Sequence, residues 1–186
     1  NRNRLREILK HKKKGKLLEI GCGKGEFLKL AMGHFDVEGM DISEYAFSYL
    51  RGILGKGIRK ANIENADLKS GNYDVIVVFN LLEHLKDPRK VIKKLYKGLK
   101  QGGIVIGSVP NKFGLTGNMA TSVMNFVDRT HCSVHPPDYW NSAFEEAGFK
   151  KIIFFGEVLK NRNVNLYVKN KFWKYLSFNL VFVCRK

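Results

Sequence analysis

Residues 17–25 read Leu17-Leu18-Glu19-Ile20-Gly21-Cys22-Gly23-Lys24-Gly25, and they run directly into Phe27, Leu28, Leu30 and Ala31 at helical spacing. A short apolar run, a glycine turn and an amphipathic segment predict strand, turn and helix in succession. Val37 to Met40 forms a second short strand ended by Asp41, 20 residues after Gly21, and Ser43 is placed to cap a helix carrying Tyr45, Phe47, Tyr49 and Leu50. Glycines let a backbone approach a ligand, and an acid at the end of the second strand can accept hydrogen bonds from both hydroxyls of a ribose. Together these parts predict a nucleoside-binding crevice.

The same rhythm extends in both directions. Upstream, residues 2–13 read as a basic helix with Leu5, Ile8 and Leu9 as its apolar stripe, ended by Gly15. Downstream, a weak strand lies near Ile58, and Tyr73-Asp74-Val75-Ile76-Val77-Val78-Phe79 is a continuous apolar run suited to a central strand buried on both faces. Pro88 opens a helix with Val91, Ile92, Leu95, Tyr96 and Leu99 inward, leaving Lys90, Lys93, Lys94, Lys97 and Lys100 as a solvated face. Gly102-Gly103 is expected to stop that helix before a strand from Ile104 to Val109. A helix from Pro137 to Ala147, a strand from Phe149 to Gly156 and a closing strand from Phe178 to Cys184 complete the series. Alternating strands and helices predict one α/β domain over residues 1–186: a parallel sheet covered on both faces, with ligands beyond the strand carboxyl ends where strand order reverses. Residues 111–136 are longer than an ordinary connection and are expected to cover that end as a substrate-side insertion. Their Phe113, Leu115, Met119, Met124 and Phe126 read equally as acceptor-pocket lining and as lid packing.

Composition excludes several classes. The 186 residues are 44% hydrophobic and 27% charged, enough apolar material for a real core and incompatible with a disordered chain. No apolar stretch approaches the roughly 18–20 residues of a membrane span, and the basic first residues lack the apolar segment of a signal peptide, so a cytoplasmic chain is expected. Cys22, Cys132 and Cys184 are too scattered for a disulfide framework or a paired-thiolate metal site. The net charge of +16 is uneven: residues 1–16 carry eight basic and one acidic residue, residues 150–186 carry nine and one, and the middle is nearly neutral. Either the ends are solvated faces or they meet a polyanion such as nucleic acid. Phe172, Trp173, Tyr175 and Phe178, with Lys171 and Lys174, read as packing around the last strand, with a membrane interface or base stacking as alternatives.

The details of the turn select the nucleoside. Gly25 lies four residues after Gly21, where a dinucleotide fold places its third glycine five after the first. Glu19, inside the strand, would be unfavourable beside a pyrophosphate and useful beside a cation or amino group. A ligand combining ribose and positive charge fits best.

At this point the chain resembles the class I S-adenosylmethionine-dependent methyltransferases. Residues 17–25 look like that family's first motif, and Gly39-Met40-Asp41-Ile42-Ser43 looks like its ribose-binding acid segment. Asn62-Ile63-Glu64 stands where the family usually has an Asp contacting adenine. Asp74 to Asn80, Leu81-Leu82-Glu83-His84-Leu85, Leu99 to Gly103 and Val109-Pro110-Asn111 complete the pattern over residues 16–156. The Glu83-His84 and Pro110-Asn111 pairs are most similar to the subgroup of ubiquinone-pathway O-methyltransferases. The resemblance implies a Rossmann-like, doubly wound, seven-stranded, mostly parallel sheet with an antiparallel last strand. It also implies S-adenosylmethionine as cofactor, held by Glu19, Gly21, Cys22, Gly23, Gly25, Asp41, Ile42, Asn62, Ile63, Asn80 and Leu81. Relatives that bind a divalent metal use Glu-x-x-Glu-His; Asn80 replaces the first carboxylate here, so no metal is expected.

Methyl transfer is an in-line displacement in which the site supplies alignment and, for hydroxyl or ammonium acceptors, proton removal. His131 is the favoured base because relatives often carry a histidine before the last helix. His84 is the second candidate, with a backbone hydrogen bond as its alternative role, and His135 lies in the same insertion. Cys22 reads as packing within the turn rather than as a nucleophile. The expected activity is methylation of a small molecule, on oxygen ahead of nitrogen or carbon. The alternatives are an RNA or protein methyltransferase docking through its basic ends and a non-catalytic binding partner that keeps the fold.

Overall fold

The computed structural model describes residues 1–111, 132–161, 164–168 and 179–186. Among these residues the chain forms α1 (Arg2–His11), β1 (Lys16–Ile20), α2 (Glu26–Ala31), β2 (Asp36–Asp41), α3 (Glu44–Leu54), β3 (Ile58–Lys60) and β4 (Tyr73–Phe79). There follow α4 (Pro88–Gly98), β5 (Leu99–Pro110), α5 (Pro137–Glu146), β6 (Lys151–Asn161), β7 (Val164–Val168) and β8 (Asn179–Arg185). One sheet takes the order β3-β2-β1-β4-β5-β8-β6-β7. Strands β1 to β5 pair in parallel, and β8 runs antiparallel between β5 and β6. The chain winds outward from β1 to β3 and then crosses to β4 on the other side of β1. The carboxyl ends of β1 and β4 therefore flank the switch point where such sheets bind ligands.

β4 is central as its composition demands. Val75 and Val77 face one cluster, Ile76 and Val78 the other, and all four are fully buried. Each contributes about 1.5–3 kcal/mol of apolar transfer free energy. α1, α2 and α3 cover the first face through Ile8, Phe27, Leu28 and Leu50, while α4 and α5 cover the second through Ile92, Leu95, Trp140 and Phe144.

The doubly wound, mostly parallel sheet with an antiparallel last strand is present as expected, and β7 adds an outer strand to the seven. It folds back on β6 as an antiparallel hairpin at the sheet edge, in a stretch whose mixed residues give no clear alternation. Two local expectations are corrected. Gly102-Gly103 lies inside β5, not at the end of α4. Tyr73 pairs with Leu99 while Val75 pairs with Ile104, so β5 spends extra residues on a bulge. The lysine face of α4 is not uniformly solvated: Lys94 keeps only 14% of its side-chain surface, and Lys100 belongs to β5, where Nζ meets Asp74 Oδ2 at 2.6 Å. The Ser43 cap and the opening of α4 at Pro88 are as expected, and Asp87 adds a cap to the latter. Ser43 Oγ accepts the Ala46 N–H at the start of α3, and at α4 Asp87 Oδ1 accepts the Lys90 N–H ahead of Pro88.

Candidate cofactor site

The glycine turn hangs from the end of β2. Gly21 N–H donates to the Met40 carbonyl at 2.8 Å, and Gly25 N–H closes the turn onto the Cys22 carbonyl at 2.8 Å. Gly25 has φ +67, and a Cβ there would stand 2.5 Å from Leu50 Cδ2, so a side chain would be strained in its backbone and would displace the buried Leu50 side chain of α3. Gly23, at φ +49, turns its N–H toward Asp41, whose Oδ2 accepts it at 2.8 Å; Oδ1 of the same carboxylate accepts the Ser43 N–H at 2.9 Å. One acid thus ties the turn, the end of β2 and the start of α3 together. Each of its oxygens keeps a further lone pair for an incoming hydroxyl.

Below the turn lies a cavity of ≈ 300 Å³ lined by Arg4, Glu19, Gly21, Gly23, Lys24 and Phe79, among others. α1 forms one wall, with the Arg4 guanidinium 4.1 Å from the Phe79 ring centroid and Asn1 Nδ2 donating to Glu26 Oε2 at 3.5 Å. Glu19 is 7% exposed, and its Oε2 has no hydrogen-bond partner among the described residues. Burial raises its pKa to about 8, Arg4 opposes that rise and the charge of Asp41 adds to it. Cys22 is buried beside it, its thiol pushed up to about 12 by burial and by the charges of Glu19 and Asp41, which suits packing and not nucleophilic attack.

The state of Glu19 makes stability depend on pH. Between its ordinary value of 4.5 and about 8, the folded chain holds a proton that the unfolded chain releases. The corresponding stability is fully present below the lower value and lost as pH rises through the upper one. Glu19→Gln is therefore expected to match the native protein in urea unfolding near pH 5 and to exceed it at pH 9 by on the order of 4 kcal/mol. A stability difference that stays constant with pH would contradict this assignment.

The other expected contacts divide into groups. Leu81 packs under the turn, its Cδ1 3.3 Å from where a Cβ on Gly21 would lie. Asn80, the one non-glycine residue with positive φ among those described, accepts the Ser108 hydroxyl on Oδ1 at 2.8 Å. Ile42 is 68% exposed, whereas Ile63 is buried in the core. Asn62 lines a second groove of ≈ 360 Å³ with Glu64, Asn65, Lys86 and Lys90, and its Oδ1 accepts the Glu64 N–H at 2.9 Å.

His84 ends a short 3-10 turn, Leu82–His84, and lines neither cavity. The thiol of Cys132 donates to its carbonyl at 3.2 Å, and Ser133 Oγ donates to the Leu85 carbonyl at 2.6 Å, so the end of the insertion is stapled to the turn after β4. His135 stacks on Tyr139 at a centroid distance of 3.7 Å. His131 lies outside the described residues, as do Phe113, Leu115, Met119, Met124 and Phe126, the aromatic residues Phe172, Trp173, Tyr175 and Phe178, and their companions Lys171 and Lys174. Sequence reasoning missed Arg4 and Phe79 as cavity walls, since a basic helix and a buried strand residue carry no signal of meeting over the same space. Among the described residues no cluster of three or more His, Cys, Asp or Glu could hold a metal ion, and no helix is long and apolar enough to cross a membrane.

The family model for a methyltransferase domain matches residues 1–152. The chain belongs to the class I S-adenosylmethionine-dependent methyltransferase family. A ubiquinone biosynthesis O-methyltransferase of Pectobacterium atrosepticum is 32% identical over 104 residues, covering 52% of this chain and 43% of that protein. The enzyme of the same name from Escherichia coli is 28% identical over 121 residues, covering 61% and 50%. The chain thus spans about half the length, or less, of these relatives. A methyltransferase structure from Thermotoga maritima superposes with TM-score 0.79 at 19% identity, covering 98% of this chain and 87% of that one. One from Archaeoglobus fulgidus gives 0.72 at 22% identity, covering 99% and 92%. S-adenosylmethionine is the cofactor that this methyltransferase family and fold imply, and the residues present fit it. Glu19, its Oε2 without a hydrogen-bond partner among the described residues, lines the cavity with Arg4, and a carboxylate with spare lone pairs closes the turn.

Proposed function

We propose that the chain transfers a methyl group from S-adenosylmethionine to the oxygen of a small-molecule acceptor. The observation that carries the reading is that Glu19, whose buried Oε2 has no hydrogen-bond partner among the described residues, lines the cavity under the Asp41-clasped turn. A buried carboxyl with no partner is costly unless a cationic or N–H-bearing ligand completes it. When bound, the cofactor supplies a methyl group on a sulfonium, activated for displacement.

In this reading Glu19 meets the amino group of the methionyl end and Arg4 meets its carboxylate. Asp41 accepts the ribose hydroxyls, and Ile42, Asn62, Ile63, Asn80 and Leu81 bound the adenine. Phe79 and α1 exclude water from the sulfonium side. His131 or His84 would accept the acceptor's hydroxyl proton at a ring nitrogen. The O-methyltransferase relatives support oxygen as the acceptor atom.

Titration calorimetry with S-adenosylhomocysteine, followed by transfer of labelled methyl to a panel of phenols, carboxylic acids and amines, tests the reading. Saturable heat with label on a phenol is expected; absence of heat removes it. A second reading, an RNA or protein acceptor, is favoured by the exposed Arg2 and Arg6 on the helix that walls the cavity. Its signature is activity that falls steeply with salt and with neutralisation of α1.

A further inference from the structure

Lys94 stands apart from its neighbours on α4. Its ammonium donates to three backbone carbonyls at once: Ile63 at 3.2 Å, Glu64 at 2.9 Å and Ala66 at 2.8 Å. Three donors on one cation meet three acceptors, so its hydrogen-bonding capacity is filled. The nearest carboxylate, Asp67 Oδ1, lies farther off at 3.7 Å on a side chain that is 91% exposed, so an ordinary ion pair does not explain the burial of this lysine.

The three carbonyls belong to one tight loop after β3. Asn65 and Ala66 donate their N–H groups to the Asn62 carbonyl at 3.1 and 2.8 Å, and Glu64 N–H reaches Asn62 Oδ1 at 2.9 Å. A second staple joins the loop to the segment before α4, where Glu64 Oε1 accepts the Lys86 N–H at 2.9 Å. Ile63, Glu64 and Ala66 all turn their carbonyls toward α4, so one cation holds the loop at three points. Without the cation, those carbonyls would converge on an apolar stem and repel one another.

We infer that Lys94 is a positioning residue for the cofactor's purine. By drawing the loop onto α4 it fixes the height of Asn62 and Ile63 against the base, and so sets discrimination between an amino and an oxo group at the purine 6-position. This rests on the proposed reading that the loop borders adenine. Lys94 itself touches no ligand in this scheme.

The test compares S-adenosylhomocysteine with S-inosylhomocysteine by calorimetry, using the native chain, Lys94→Met, Lys94→Arg and, as a surface control, Lys93→Met. The native chain should prefer the adenine ligand by more than about tenfold, since a site built to pair with one polar group rejects its replacement. Lys94→Met should weaken adenine-ligand binding about tenfold and reduce the preference below about threefold. Lys94→Arg should recover part of both, and Lys93→Met should change neither. A merely structural lysine would lower the melting temperature and leave the preference intact, so an unchanged preference in a folded Lys94→Met overturns the inference alone. If that variant does not fold, Lys94→Gln, which keeps an amide donor, takes its place: a reduced preference supports the inference and an unchanged one overturns it. Failure of the native chain to bind S-adenosylhomocysteine overturns the cofactor reading, and the inference with it.

Discussion

Replacing Asp41 by alanine is expected to weaken S-adenosylhomocysteine binding by about 100- to 1,000-fold, because charge-assisted hydrogen bonds of this kind contribute about 1.5–3 kcal/mol each. The carboxylate does two jobs. It accepts the Gly23 and Ser43 N–H groups, which holds the turn against α3, and in the proposed reading it offers its remaining lone pairs to the ribose. Alanine removes the acceptor and releases the turn together. Asp41→Asn keeps one oxygen and should lose less, about tenfold, so the pair of variants separates charge from shape. Binding of the alanine variant within about threefold of the native chain would remove Asp41 from the site.

The largest stability effect is expected at Gly107. It sits in the middle of β5, paired with Val78 on one side and Phe182 on the other. A Cβ added there would lie 2.2 Å from the Val78 carbonyl oxygen and 2.5 Å from Phe182 Cζ. The first of these is backbone of the most buried strand and cannot yield without breaking the ladder. Gly107→Ala should therefore destabilise by about 4 kcal/mol or more, a large part of the roughly 5–15 kcal/mol available to a domain, and should express mainly as insoluble protein. Gly33→Ala is the control, since nothing lies within 4 Å of its added Cβ, and chemical denaturation should place it within about 0.5 kcal/mol of the native chain. Equal stability of the two variants would contradict the packing described around β5.

Much of this is legible in the sequence alone. The run at Val75 to Val78 admits only a strand buried on both faces, and the glycine turn followed by Asp41 marks where the first two strands end. These signals are local and lie along the chain. The misses are tertiary. Lys94 has the spacing of a solvated lysine, and only the return of the β3 loop over α4 gives it three carbonyls. Arg4 looks like one more charge at a basic end until α1 is laid beside Phe79. Gly102 looks like a helix stop because a bulge and a cap ask for the same residue. The outer strand escapes notice because, among the described residues, Val164 to Val168 pairs only with β6 and has to satisfy just that neighbour.

The place of β8 governs the order in which the domain can be assembled. Among the described residues, β6 and β7 join the rest of the sheet only through β8, which is made after both. As the chain leaves the ribosome, the hairpin must wait beside an incomplete sheet, and β5 must meanwhile present Ile104 to Val109 as an unpaired edge. Such an edge is a template for pairing with another chain. Insertion of the last strand is thus the event that both closes the sheet and ends the interval in which nascent chains can capture one another.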